Sequence, residues 1–285
     1  MKERLTYVPL VLLGALALAA LCVWSAVLAG ERSNVLTVAF LDVGQGDAIY
    51  IESPNGTQVL LDGGKGGAVL EELGRVMPFY DRSIDVVIAS HPDMDHIGGL
   101  PEVFARYAIG MFLEPGVADD GADYRALLEA VRAEGLTPIH LRQGMTLAIG
   151  DGAVLEVLFP DREVSGVDSN VGSVVARLTH GDTSFLLTGD SPEEIETYLA
   201  GRYGDALKST VLKLGHHGSR TASSEVFLGY VEPEYAVISA GCKNSYGHPH
   251  KEVLERLERF SIRKASTCEE GTVRFESDGS VLTRL

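Results

Sequence analysis

Residues 7–30 read YVPLVLLGALALAALCVWSAVLAG, 24 residues without a charge, and no other feature limits this chain so strictly. A helix of roughly 20 apolar residues spans the hydrocarbon core of a bilayer and satisfies its backbone polar groups internally. The run therefore separates residues 1–6 from a folded part that begins near residue 34. Lys2 and Arg4 precede it, so the positive-inside rule expects residues 1–6 in the cytoplasm and everything after the run outside. A cleaved signal segment is the alternative, with VLAG as a weak small-residue site. The length of the run favours a retained anchor. Leu21 before Cys22 disfavours a lipid-modified cysteine. The expected organisation is a cytoplasmic N-terminus over 1–6, a transmembrane anchor or signal segment over 7–30, and one domain over 34–285.

In that domain, turn chemistry and periodicity give two similar blocks. Residues 34–64 read as strand, Gly-rich turn, strand, a Pro54-Asn55-Gly56 turn, and strand. A helix is expected over 68–76 and a short apolar strand, buried on both faces, over 84–89. Helix-like and strand-like pieces then alternate at 100–107, 110–113, 124–134 and 138–141. The second block has strands at 153–159, 173–179 and 183–188 and a helix at 192–203. Each block ends in an apolar strand running into aspartate and glycine, VLLDGG in one and FLLTGD in the other. Strands at 210–214 and 235–239, a helix at 251–260 and a hairpin turning at Asp278-Gly279 complete the pattern. Two β-rich halves, each trailed by helices, predict an α+β fold, an αββα four-layer sandwich.

Ser90 to Leu100, SHPDMDHIGGL, crowds His91, Asp93, Asp95 and His96 into one loop directly after the 84–89 strand. Two carboxylates this close repel and desolvate at a cost unless a cation joins them. Gly98 and Gly99 let the following helix start close by without a side-chain clash. Asp190, at the end of FLLTG, is a poor place for an unpaired buried carboxylate and reads as a metal ligand, a helix cap, or both. His216 and His217 follow a third apolar strand, and His248 lies in SYGHPH. His140 and His180 lack such companions and read as structural. Cys242 and Cys268 can pair in an oxidising compartment or remain as buried thiols. No C-x-x-C spacing exists, which argues against a thiolate zinc site.

In this order and at strand ends, H-x-D-x-D-H-x-G-G, L-L-T-G-D and H-H-G-S resemble the metallo-β-lactamase fold. FLDVGQGDAIYIESPNGTQVLLDGG, SHPDMDHIGGL, NVGSVVARL, FLLTGD, LKLGHHGS and SAGCKNSYGHP are similar, more narrowly, to the metallo-hydrolase domain of ComEC-type DNA-uptake (competence) proteins. The resemblance covers nearly all of residues 35–285. The common signature is H-x-H-x-D-H, and Asp93 takes the place of its second histidine. The block that carries the first site's third histidine has Asn170 and Ser173 instead. Both departures match the ComEC-type pattern and leave the first site richer in oxygen. Those proteins embed the domain in a many-helix channel, whereas this sequence has one apolar segment and is not expected to form a DNA channel itself.

The resemblance implies two divalent metal ions, Zn2+ or Mn2+, and a metal-activated water as nucleophile. It implies one ion on His91, Asp93 and a bridging Asp190, and a second on Asp95, His96, Asp190 and His216, with His217 the alternative to His216. Asp95 and His248 are the candidate catalytic groups, and Asn170, Ser173, His217, Ser219 and His248 the candidate substrate contacts. Asp42, Gln45 and Asp47 brace the rim or simply form the turn.

The implied activity is that of an exported, membrane-tethered phosphodiesterase or nuclease acting on single-stranded DNA, with a DNA-uptake channel protein as a possible partner. Net charge is −16, with 40 acids against 24 bases, which argues against gripping duplex DNA through a broad basic face. Lys65, Lys213, Arg220 and Lys243 lie near the motifs and are expected to form a local basic funnel. One alternative keeps the metals but takes small or cell-surface phosphoesters or lactones. Another is a metal-stabilised assembly domain without catalysis.

Overall fold

The computed structural model describes residues 4–29 and 35–285. Lys2, Gly30 and Asn34, which enter the expected segment boundaries, lie outside the described residues. The chain divides into two units, Met1–Ser33 and Asn34–Leu285. In the first, helix α1 (Arg4–Ala29) carries the stretch Tyr7–Trp24, long and apolar enough to cross a bilayer. A membrane anchor and a signal segment both meet that description.

The second unit starts with an antiparallel meander, β1 (Leu36–Phe40), β2 (Ile49–Glu52) and β3 (Gln58–Leu61). The β2–β3 turn places Gly56 at φ +87°, the left-handed backbone its sequence chemistry anticipates. Helix α2 (Ala68–Val76) crosses over to β4 (Ser83–Ile88), which runs parallel to β3. The short helices α3 (Met94–Ile97) and α4 (Leu100–Phe104) lead to β5 (Ala108–Glu114), and α5 (Ala122–Ala133) leads to β6 (Ile139–His140). Both strands extend the parallel part of the sheet.

The plan then repeats. Strands β7 (Thr146–Gly150), β8 (Ala153–Phe159), β9 (Val175–His180) and β10 (Thr183–Leu187) are antiparallel neighbours. Helix α6 (Glu193–Tyr203) crosses to β11 (Val211–Lys213), α7 (Glu225–Val231) to β12 (Tyr235–Ile238), and α8 (Lys251–Arg259) to β13 (Arg263–Ser266), all parallel. Strands β14 (Val273–Ser277) and β15 (Leu282–Arg284) return to the first sheet, where β14 pairs with β1. Among the described residues the strand orders are β15-β14-β1-β2-β3-β4-β5-β6 and β13-β12-β11-β10-β9-β8-β7.

Alternation along the strands builds the layers. Leu36, Val38 and Phe40 of β1 meet Leu155, Val157, Leu178 and Phe185 between the sheets. Ala39, Leu60 and Val87 face outward onto Val69, Leu73, Val103 and Leu127 of the helices. Leu186, Leu212 and Ala236 do the same against Leu199, Phe227, Leu228 and Val253 on the far side. The expected αββα sandwich is the observed fold.

The differences are local. Strands β7 and β13 and helix α7 were not anticipated, and the helix expected over 100–107 is the short α4. Strand β13, RKAS, has two exposed cationic residues and no apolar alternation to announce it. The 138–141 piece forms only the two-residue β6, exposed along its length.

Candidate metal centre

The side chains of the site follow the carboxyl ends of parallel strands, where open sheets collect ligands. Asp62 follows β3, Ser90 and His91 follow β4, Asp190 follows β10, and His216 and His217 follow β11. The crowded 90–96 segment is a loop that turns into α3, so Asp95 and His96 lie on a helical turn while His91 and Asp93 precede it. Close backbone approach holds the turn in place. A Cβ on Gly99 would lie 2.2 Å from the Gly63 carbonyl oxygen, and one on Gly46 2.0 Å from that of Asp95. Only glycine fits either position.

One set of donors converges through Nε2 atoms. His96 Nε2 and His217 Nε2 are 3.3 Å apart. Asp190 Oδ1 is 3.3 Å from the former and Asp190 Oδ2 is 3.4 Å from the latter. Asp95 Oδ2 is 3.3 Å from His217 Nε2. A looser set also gathers on Asp190: His91 Nε2 is 4.0 Å and His216 Nε2 3.7 Å from Asp190 Oδ2, and Asp93 Oδ2 is 3.7 Å from His91 Nε2. Asp190 thus belongs to both sets.

The opposite ring nitrogens are tied back. His96 Nδ1 is 2.9 Å from Asp62 Oδ2, and His217 Nδ1 is 2.9 Å from the Ser239 carbonyl. Ser90 Oγ donates to Asp62 Oδ2 at 2.6 Å and is 3.0 Å from His91 Nδ1, so it accepts the His91 Nδ1–H. Each of these three imidazoles is thus tied back through Nδ1 and turns Nε2 toward Asp190, the arrangement in which histidine ligates metal. Asp62 fixes His91 and His96 together. Its own φ is +63°, and those of His216 and His217 are +48° and +56°. Left-handed backbone at non-glycine residues costs on the order of 1–3 kcal/mol each, and three of the seven such residues among the described residues are here.

Asp47, His96, Asp190 and His217 are all buried and offer ligand atoms within 4.8 Å of one another. Asp47, however, lies on the Nδ1 side of both imidazoles, 3.3 Å from His217 Nδ1 and 3.9 Å from His96 Nδ1. It braces the rings from behind, while Asp95 closes the Nε2 side. Lys213 Nζ sits 2.6 Å from Asp47 Oδ2. Burial acts against the Asp47 charge, but Lys213 and His217 outweigh it and keep the carboxyl below its ordinary range. Burial likewise opposes the Asp190 charge, and His217 and His96 hold it well below the carboxylate range.

The donor set fits divalent metal. His91 Nε2 and Asp190 Oδ1 are buried without a hydrogen-bond partner, a costly state for polar atoms that a cation relieves. Imidazole and carboxylate without thiolate suit Zn2+ or Mn2+. The structure also separates Asp190 from a capping role, because Pro192 is the N-cap of α6.

The remaining candidates fall into two groups. His248 lies beside the histidines, with its ring centroid 5.4 Å from that of His216. Burial, followed by the neighbouring His216 and His217, pushes its pKa down to about 4. Asn170 shares an open cleft with His216. Ser173 is fully buried, and its Oγ accepts from the Asp190 backbone N–H at 3.4 Å. Ser219 is also buried, with Oγ 2.9 Å from Thr221 Oγ1.

The expected basic funnel needs correction. Lys213 is fully buried on Asp47 and presents no charge to solvent. Sequence reasoning gave no role to Asp62 or Ser90; the apolar strand running into Asp62 was the available signal, because it repeats the pattern that ends in Asp190. His140 pairs with Glu114 and His180 approaches Ser277 Oγ, both outside this constellation.

A two-sheet sandwich with this histidine and aspartate pattern at its strand ends belongs to the metallo-beta-lactamase superfamily, whose family model matches residues 41–242. Among curated proteins, the chain is 31% identical over 264 residues to ComE operon protein 3 of Bacillus subtilis, covering 86% of this chain and 34% of that protein. It is 34% identical over 246 residues to competence protein ComA of Neisseria gonorrhoeae, covering 85% of this chain and 32% of that one. The chain therefore spans about a third of the length of these relatives. Among solved structures, Igni18, a metallo hydrolase from Ignicoccus hospitalis, superposes with a TM-score of 0.55 at 15% identity, over 84% of this chain and 98% of that one. That likeness concerns the fold.

Proposed function

We propose that this chain is a metal-dependent phosphodiesterase that cleaves single-stranded DNA outside the cytoplasm, tethered through α1. The observation that carries the reading is the paired arrangement of donors around Asp190, with His96, His217 and Asp95 on one side and His91, Asp93 and His216 on the other. Two ions, Mn2+ or Zn2+, would be held there. His217 takes the place beside His96, and His216 supplies the first group with a second imidazole in the absence of a histidine at Asn170 or Ser173.

When bound, divalent cations supply Lewis-acid stabilisation of charge developing on the phosphoryl group and make water a nucleophile near neutral pH. The protein's own contribution is orientation. Asp62, Ser90, Ser239 and Asp47 fix three imidazoles by their Nδ1 atoms, so little reorganisation is needed during reaction. In this reading Asp95, which is partly exposed, aligns the attacking oxygen, and His248, whose pKa is pushed down to about 4, contacts the leaving group.

Likeness to a competence protein supports a DNA substrate and a channel partner, and the Cys242–Cys268 disulfide supports an oxidising, extracytoplasmic location. Cleavage of labelled single-stranded DNA by the full chain in detergent, with Mn2+ or Zn2+, tests the activity beside an Asp190→Ala control. Metal-dependent cutting that disappears in the control is the expected result. Absence of cutting with either metal would refute it.

A further inference from the structure

Beside the metal centre, on the Asp95 side, lies a cavity of about 300 Å³ lined in part by Gln45, Lys65, Asp95, Lys243 and Tyr246. Its charge is unusual for this chain. Lys208, Lys213, Lys251 and Lys264 are each ion-paired with a carboxylate. Lys65 and Lys243 are the other lysines among the described residues; neither has a carboxylate within ion-pair distance, and both are exposed at this cavity. In a protein of net charge −16, the two uncommitted lysines face one hollow next to the ligand Asp95.

The rest of the lining has matching chemistry. Gln45 Oε1 accepts from the Gly241 backbone N–H, which fixes the amide, and its Nε2 is a buried donor with no partner. Tyr246 is 64% exposed, and its ring stacks on His248 at 5.7 Å with 24° between planes. The ring is thereby held with a face free for another planar group. The cleft on the opposite side of the centre, beside His216, is lined by Asp168, Glu193 and Glu194 and repels anions. The lysine-lined cavity is therefore the more favourable of the two for an anionic polymer at the metal centre.

We propose that this cavity is a nucleotide subsite adjoining the scissile phosphodiester, in which Lys65 and Lys243 neutralise the neighbouring phosphate, Gln45 Nε2 donates to the same nucleotide, and Tyr246 stacks its base. The inference rests on the phosphodiesterase reading above. It adds residues on one flank that distinguish an oligonucleotide from a small diester, since base stacking requires a base and the lysines require a second phosphate.

The test is fluorescence anisotropy of a labelled oligothymidylate of about ten nucleotides, titrated with the full chain in detergent and EDTA so that nothing is cut. Lys65→Gln with Lys243→Gln is expected to weaken binding about tenfold and to reduce the salt slope by roughly 0.7 for each phosphate no longer neutralised. Tyr246→Ala should weaken it about fivefold, and Tyr246→Phe should not. The remote pair Lys208→Gln with Lys264→Gln makes the same change in charge and should leave affinity unchanged. Equal weakening by the remote pair, unchanged affinity in the Lys65 and Lys243 variant, or no measurable binding by the unaltered chain overturns the subsite. Hydrolysis of bis-p-nitrophenyl phosphate with Mn2+ reads the phosphodiesterase chemistry separately. A chain inert to that diester that still binds the oligonucleotide through these residues loses the chemistry and keeps the subsite.

Discussion

Lys213 Nζ lies 2.6 Å from Asp47 Oδ2 with both side chains shut off from solvent, and the two residues adjoin strands of different sheets. Asp47 belongs to the turn before β2 and Lys213 ends β11, so this ion pair fastens the halves of the sandwich directly behind the histidines. Removing one partner of a buried pair leaves an uncompensated charge at a cost of about 3–5 kcal/mol. Lys213→Met is expected to lose about that much in urea unfolding, and adding Asp47→Asn should recover part of it. Strict additivity of the two substitutions would count against the pair as the link between the halves.

Asp62 touches no candidate metal position, yet it orients His96 directly and His91 through Ser90. Asp62→Asn puts an amide donor against a ring N–H and disturbs both imidazoles. Metal affinity should fall by about 10–100-fold, measured by calorimetric titration with Mn2+ or Zn2+. An unchanged affinity would show that the rings do not need this support.

Glu196 is buried on α6 and accepts from the backbone N–H groups of Ser223 and Ser224, which follow the histidine loop. Burial raises its pKa from 4.5 to about 7 despite those bonds. Because the folded pKa exceeds the unfolded one, the resulting stabilisation is fully present below about pH 4.5 and fades as pH rises through about 7. At about 1.4 kcal/mol for each pKa step, the effect is bounded near 3 kcal/mol. Urea midpoints in EDTA should drop between about pH 5.5 and about pH 8, and Glu196→Gln should flatten that dependence. The same slope in both proteins would assign the pH effect elsewhere.

The Cys242–Cys268 bond closes a loop with a sequence separation of 26 and lies next to Lys243 in the chain. Loop closure of that size contributes about 3 kcal/mol. Reduction, or Cys242→Ala with Cys268→Ala, is expected to lower stability by about that amount and to weaken oligonucleotide binding. Thermal unfolding with and without reductant, together with anisotropy, checks both; a reduced protein equal to the oxidised one in each would refute the tether.

The two-block plan was legible because alternation in LTVAF and the apolar runs before Asp62 and Asp190 follow directly from which face each residue buries. The ligand-bearing loops were legible too, since ionisable residues at the end of a buried strand need a physical reason. Burial of an isolated charge was not. Lys213 looked like a surface cation because its partner is remote in sequence. His216 and His217 were equivalent in the sequence; in the structure both turn Nε2 toward Asp190 Oδ2, and only His217 also approaches His96 Nε2 and Asp95.

The pairing of β1 with β14 has a consequence for how the domain comes into being. Leu36 lies opposite Ser277 and Phe40 opposite Val273, so the first strand of the unit to be synthesised obtains its second neighbour only when the last segment arrives. Until then β1, with all five residues apolar or buried in the finished fold, offers an open edge to any passing strand. Contacts so distant in sequence form slowly. Vectorial emergence of the chain therefore cannot complete this sheet stepwise; its closure waits on emergence of the β14–β15 hairpin, and the interval before it is when the nascent domain most needs shielding from its own kind.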